Sequence, residues 1–239
     1  MLDEESFLDF KCPHCGGSVS FPQQDAGYPR ACPNCLATFI VPTDGSGVGR
    51  ELPLPLNTER LVLRRFVPGD WHDLLAIVSD EELFAYTDDA PLSEEAVLHW
   101  LEQDSAVTLT TTGHWFFLGL ELKEGGKLIG YAGLNRREAE ADLFIRVHRD
   151  FQKKAFALEA MDALLEFAFA TRLHRVAAIC DARNTAARKL LDRLGLRREG
   201  EFIKNKWTGE EWVNTLAYAA LDEEWANAGK QESAGGDKV

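Results

Sequence analysis

Basic residues are in the minority: 26 Lys and Arg stand against 39 Asp and Glu in 239 residues, a formal net charge of -13. Binding along a nucleic acid draws on clustered Lys and Arg to neutralise phosphates, so no direct nucleic-acid partner is expected. No uninterrupted apolar run is long enough to cross a bilayer, and no membrane partner is expected either. The opening Met1-Leu2-Asp3-Glu4-Glu5-Ser6 is acidic and lacks the positive region and apolar stretch of a secretory signal. Cysteine is scarce, and its odd count of five fits a metal site plus a spare thiol better than a disulfide framework. Together these absences predict a soluble, cytoplasmic protein. No internal repeat is visible.

Four of those cysteines fall within residues 1–43, a segment rich in turn formers and too poor in large apolar residues to build its own core. Cys12-Pro13-His14-Cys15 and Cys32-Pro33-Asn34-Cys35 form C-x2-C-x16-C-x2-C. Each short knuckle lets two thiolates converge on one tetrahedral ion, so Cys12, Cys15, Cys32 and Cys35 are the candidate ligands of a structural Zn2+. Unligated or disulfide-paired cysteines are the alternative, disfavoured by the spacing and by the missing export signal. His14 lies inside a knuckle whose site four sulfurs already close. A protein partner docking through this zinc ribbon is a possible role for it.

The Gly-rich run Thr43-Asp44-Gly45-Ser46-Gly47-Val48-Gly49 marks a boundary. The expected layout is a ribbon over 1–43, a linker over 44–56, a larger domain over 57–225 and a disordered polar tail over 226–239. In the larger domain a strand from Leu61 to Phe66 precedes a helix that Asp70 is placed to cap, and a second helix starts at Ser93-Glu94-Glu95. His114 to Leu122 and Lys127 to Leu134 read as a hairpin around Glu124-Gly125-Gly126. A strand from Ala141 to Val147 leads into a helix with Leu158, Met161, Leu165 and Ala168 inward and Glu159, Asp162 and Glu166 opposite. Strand Arg175 to Cys180, helix Asn184 to Leu194 ending at Gly195, and two strands around Thr208-Gly209-Glu210 complete it. The fold class is α/β, an α+β mixed sheet with helices on its faces. In this reading Cys180, beside Ile179, is a packed thiol, and Tyr218 belongs to the core rather than to a cleft.

Thr58-Glu59-Arg60-Leu61-Val62-Leu63-Arg64 and Ile129-Gly130-Tyr131-Ala132-Gly133-Leu134, with the strand-loop-helix run Ala141 to Ala157, carry a resemblance. Asp181-Ala182-Arg183-Asn184-Thr185-Ala186-Ala187 and Leu194-Gly195-Leu196-Arg197-Arg198-Glu199-Gly200 extend it. The region from Asn57 to Trp225 resembles the GNAT superfamily of N-acetyltransferases, in its branch of ribosomal-protein N-terminal acetyltransferases.

The resemblance implies direct transfer of an acetyl group from acetyl-CoA to a primary amine, either a protein N-terminus or a small amine, in a ternary complex. It implies that Arg146, Val147, Gln152, Lys153, Lys154, Ala155, Phe156, Ala157 and Asn184 seat acetyl-CoA. The helix N-terminus would hold the pyrophosphate, with Arg146, Arg149, Lys153 and Lys154 as a basic complement. It also implies that Val147 N–H polarises the thioester carbonyl and that Asn184 positions the pantetheine chain.

Three positions depart from the family pattern. Ala155 stands where the loop's central Gly is usual, which matters if its φ is positive. Ala187 replaces a serine proposed to protonate the leaving thiolate, and Lys204, Asn205 and Lys206 occupy the strand that carries a catalytic carboxylate in some relatives. His148 is named as a catalytic candidate because imidazole titrates near neutrality, with Asp142 and Glu140 behind it. A catalytically degenerate acetyl-CoA-binding module, or an interaction module docked through its ribbon, is the alternative to an active enzyme.

Overall fold

The computed structural model describes residues 6–43 and 47–225. The expected tail, 226–239, lies outside the described residues, as does 44–46 of the expected linker.

In the N-terminal part, β1 (Phe7–Lys11) and β2 (Ser18–Pro22) form an antiparallel hairpin. A second small sheet joins β3 (Pro29–Ala31), β4 (Thr38–Ile40) and β5 (Arg50–Glu51). Phe10, Val19, Phe39 and Val41 make a separate core here, with Phe10 and Phe39 edge to face at 5.4 Å. The segment expected to be a linker contributes to two strands. β5 extends the small sheet, while β6 (Leu56–Asn57) pairs with β7 (Leu61–Arg64) at the edge of the main one.

The main sheet continues through a helical pair on one face. A 3-10 turn at Pro68–Asp70 leads into α1 (Trp71–Val78), and α2 (Glu94–Asp104) follows. The Ser93 hydroxyl accepts from the Ala96 N–H and caps α2 as its sequence suggests. Asp70 does not cap α1 with its side chain: its carboxylate accepts from Val67 N–H and is gripped by Arg64 at 2.8 and 2.9 Å. The guanidinium and the amide before the turn together hold the carboxylate away from the N–H groups of α1.

Next come β8 (Trp115–Leu122), β9 (Leu128–Arg137), β10 (Glu140–Val147), α3 (Phe156–Ala170), β11 (Arg175–Asp181), α4 (Thr185–Arg193), β12 (Arg197–Trp207) and β13 (Trp212–Leu221). Eight strands run in the order β12-β13-β11-β10-β9-β8-β7-β6, antiparallel except between β10 and β11. The β8–β9 turn places Gly125 and Gly126 at positive φ, as a tight reversal needs.

The two faces of the sheet are covered differently. Ala141, Leu143 and Val147 of β10 pack under Met161, Leu164, Leu165 and Phe167 of α3, each large side chain contributing about 1.5–3 kcal/mol by leaving water. Leu74, Ile77, Val78 and Val97 of α1 and α2 pack on the other face against Leu128 and Tyr131. Tyr218 is buried in the first core, as expected. Among the described residues no helix is long and apolar enough to cross a membrane.

Candidate active site

Between β10 and β11 the sheet opens. They pair only at Glu140, Asp142 and the residue between, against Arg175 to Ala177, and then part. β10 stays paired with β9 through Val147, and His148 N–H donates to Ile129 carbonyl. Backbone groups alternate along an antiparallel strand, so the N–H groups of Ile145 and Val147 point away from β9 into the opening. Gly130, opposite Val147, has no room for a side chain, since a Cβ there would lie 2.5 Å from the Arg146 carbonyl oxygen. The close approach at the end of β10 therefore requires that glycine.

At one mouth of the opening lies the loop into α3. Lys153 and Ala155 both take left-handed conformations, at φ 60° and 63°, and Ala155 is the residue preceding α3. Ala155 thus keeps the backbone angle that glycine usually serves there, at the cost of Cβ crowding. The two left-handed residues fold the loop tightly back on the helix start, where the first turn of a fifteen-residue helix has free N–H groups. This concavity suits an anion. The Gln152 side chain donates to the Val147 carbonyl at 3.0 Å and ties the loop to the end of β10.

Of the four basic residues expected around this loop, Lys153 and Lys154 are there and Arg146 and Arg149 are not. Arg149 reaches back to Asp80 and Glu82, at 2.5 and 2.7 Å. Arg146 lies on the opposite face of the sheet, because even-numbered residues of β10 point away from α3. Lys153 and Lys154 remain exposed beside the loop, with Phe156 and Ala157 opening the helix. Asn184 caps α4, its Oδ1 accepting from Ala187 N–H at 3.0 Å, so what it can offer a ligand is its Nδ2 donors.

On the α1/α2 face the opening leads into a cleft of about 1230 Å³. Its walls are aromatic: Trp100, Trp115, Phe117, Tyr131 and Phe144 contact one another at centroid distances of 5.2 to 5.9 Å. Ile179, Cys180 and Asp181 line it from β11, while Phe144 and Arg146 line it from β10. The cleft therefore spans the parted strands.

Cys180 is only half-buried and Ile179 is 68% exposed, contrary to the expected buried strand. Where β10 leaves β11 one edge of the strand is open, while the other stays paired with β13 and Cys180 still packs against the main core as expected. Burial nonetheless raises the Cys180 thiol, keeping it protonated.

Titratable groups sort clearly. Burial pushes the Tyr131 hydroxyl up to about 12, so it stays protonated; it accepts from Arg146 Nη1 at 2.9 Å and keeps its own hydrogen to donate. The Arg183 guanidinium, bonded to both oxygens of Asp181, holds that buried carboxyl below its ordinary range. His148 Nδ1 accepts from Asp150 N–H and caps a 3-10 turn, outside the cleft. Asp142 pairs with Arg137, and Glu140 sits exposed where β10 begins. Sequence reasoning missed the aromatic walls; the period-two pattern Trp115, Phe117 on β8 and Phe144, Arg146 on β10 is the signal that carries them.

The four N-terminal cysteines form a second centre. Their sulfurs all lie within 4.8 Å of one another, with Cys12 and Cys35 at 3.8 Å and Cys15 and Cys32 at 3.9 Å. Thiolates about 2.3 Å from a tetrahedral zinc stand about 3.8 Å apart, so the donor set fits that ion in type and spacing. Burial opposes ionisation of Cys32, but the N–H groups of Cys35 and Asn34 outweigh it and lower that thiol to about 7, whereas at Cys35 the Ala37 N–H favours the thiolate but burial and the neighbouring cysteine sulfurs outweigh it and push the thiol up to about 12. His14 Nε2 meets the Thr38 carbonyl and takes no part.

Comparison with known proteins gives a consistent picture. The family described as acetyltransferase (GNAT) domain matches residues 60–197. The uncharacterized N-acetyltransferase YnaD of Bacillus subtilis (strain 168) is 28% identical over 173 residues, covering 71% of this chain and 98% of that protein. The uncharacterized N-acetyltransferase p20 of Bacillus licheniformis is 27% identical over 72% of this chain and 98% of its own length. A GNAT-family acetyltransferase structure from Bacillus anthracis superposes with a TM-score of 0.63 at 26% identity, covering 71% of this chain and 99% of that one.

Proposed function

From the premise that this chain belongs to the GNAT acetyltransferase family and is an acetyl-CoA-dependent N-acetyltransferase, we propose that its acceptor is a primary amine bound in the aromatic cleft. The observation that carries this reading is the opening between β10 and β11, which joins the anion-suited loop before α3 to that cleft. When bound, acetyl-CoA supplies the thioester whose acetyl group the amine takes.

The loop N–H groups around Ala155 and the first turn of α3 hold the pyrophosphate, with Lys153 and Lys154 beside it. Asn184 Nδ2 orients the pantetheine chain. Val147 N–H stabilises the charge developing on the carbonyl oxygen. As the C–N bond formed and the C–S bond broke, the amine's proton would leave to water, since Asp181 is a weakened base and His148 lies outside the cleft, and coenzyme A would depart as the thiol after taking a proton back from water. Tyr131 keeps its proton and donates a hydrogen bond within the cleft.

The resemblance to ribosomal-protein acetyltransferases supports a protein N-terminus as acceptor; a small amine is the other class. Cys12, Cys15, Cys32 and Cys35 hold a structural zinc, with the ribbon available to a protein partner.

Titration of acetyl-CoA into zinc-loaded protein, followed by a thiol-release assay with peptide, amino-sugar and polyamine amines, tests the reading. Micromolar binding, about 8 kcal/mol, with amine-dependent thiol release is expected. Absence of both sinks it.

A further inference from the structure

Arg146 is 93% buried on the face of β10 that looks into the cleft, its relative exposure being 7%. Its hydrogen bonds run to two neutral oxygens, Tyr131 Oη at 2.9 Å and Thr87 Oγ1 at 3.4 Å. Phe84 lies 3.9 Å beneath the guanidinium and Phe144 5.2 Å away. The nearest carboxylate belongs to Asp89, whose side chain is 64% exposed and stands at 3.6 Å, too far for a hydrogen bond. Two other arginines of this domain are neutralised differently: Arg64 grips Asp70 and Glu121, and Arg65 meets Asp104 at 2.8 Å. A guanidinium in an aromatic enclosure needs an anion, and its planar fork fits a carboxylate with two parallel hydrogen bonds.

The surroundings select among anions. Asp88, Asp89, Asp181 and Lys206 also line the cleft; Lys206 pairs with Asp88 at 3.0 Å and Arg183 with Asp181, so it is Asp89, beside Arg146, that opposes a dianionic phosphate more than a monoanionic carboxylate. Once another carboxylate holds Arg146, Asp89 is placed to attract an ammonium group. The walls of Trp100, Trp115 and Phe117 accept an apolar or aromatic body.

We infer that the acceptor is a small amino carboxylic acid with an apolar or aromatic body, its carboxylate taken by Arg146 in place of Asp89 and its amine directed to the opening beside Val147. This rests on the acetyl-transfer reading and narrows it.

The test compares phenylalanine, tyrosine and tryptophan with phenethylamine, tyramine and tryptamine, which lack only the carboxylate. Binding to the wild-type, zinc-loaded protein in the presence of coenzyme A is read by tryptophan fluorescence, and turnover by thiol release. The acids are expected to bind at least about tenfold more tightly than the amines, with kcat/KM following. Arg146→Gln and Arg146→Lys should both erase that preference while acetyl-CoA affinity is retained, since the guanidinium faces away from the α3 loop. Equal or tighter binding of the amines, or no binding of any acid, overturns the inference and leaves acetyl transfer standing. Loss of acetyl-CoA binding in the wild type is the separate failure of the broader reading.

Discussion

Arg60 and Glu159, ninety-nine positions apart, clasp each other across the entrance to the main domain, with Nε 2.7 Å from Oε2. The other carboxylate oxygen accepts from Arg60 N–H at 2.7 Å and from the Thr58 hydroxyl at 2.5 Å. Arg60 Nη1 goes on to the Lys154 carbonyl at 3.1 Å, and the guanidinium stacks on Phe156 at 4.3 Å. The first strand of the domain thereby fixes the loop that precedes α3.

Glu159→Gln should therefore weaken acetyl-CoA binding on the order of tenfold, by loosening a loop the variant does not itself line. Burial raises the Glu159 carboxyl, but the bonds from Thr58 and Arg60 outweigh it, so its net shift is downward. A depressed carboxyl contributes stability that is fully present above its unfolded value, about 4.3, and is lost as pH falls through its folded value. Calorimetric titration at pH 7 and melting curves from pH 7 down to 3 check both parts. An unchanged affinity would show that the clasp is structural only.

Ala155 at φ 63° gives a second prediction. Left-handed backbone costs a residue with a Cβ about 1–2 kcal/mol, part of which glycine returns as unfolded-state entropy. Ala155→Gly should therefore gain about 1 kcal/mol, raising Tm by roughly 2–4 °C, and should tighten acetyl-CoA binding. Ala155→Val should do the reverse. Thermal melts of both variants decide the matter, and destabilisation by glycine would mean that the native angle is not left-handed.

What the sequence made legible was local. The cysteine knuckles converge because two residues separate the members of each pair, and α3 showed itself through the period of Met161, Leu165 and Ala168. What stayed hidden needed the tertiary partner. Glu159 reads as a solvent-facing position on a helical wheel, yet its partner comes from a strand 99 residues earlier. Arg146 is two residues from the loop in sequence, but strand alternation sends it to the other side of the sheet. Ile179 and Cys180 read as a buried strand because nothing in their composition announces that the neighbouring strand departs.

Asp104 offers a pH dependence of opposite sign. Its carboxyl is 4% exposed, one oxygen has no partner, and burial pushes it up to about 6 against the attraction of Arg65. A carboxyl that binds its proton more tightly when folded makes stability fall as pH rises from about 4 to about 6, by about 3 kcal/mol at most. Asp104→Asn should flatten that part of the profile. Equilibrium denaturation across pH 4 to 7 reads it, and identical slopes for the variant and the parent would assign the titration elsewhere.

The cysteine centre supplies the last test. The ribbon core of Phe10, Val19, Phe39 and Val41 is a cluster separate from the two that flank the main sheet. Its contact with the main domain includes Arg172, which lies over Tyr28 at 5.7 Å and donates to the Ala26 carbonyl at 3.4 Å. So few residues cannot order themselves without an ion, whereas the eight-stranded sheet has its own buried faces. Purified protein should carry one zinc per chain, and chelation or Cys32→Ser should release it. Hydrogen exchange should then become fast over 6–43 and stay slow in β8, β9 and β10, with acetyl-CoA binding retained. If the main sheet lost protection together with the ribbon, the contact through Arg172 and Tyr28 would be part of the folding unit, and the zinc would stabilise the acetyltransferase itself.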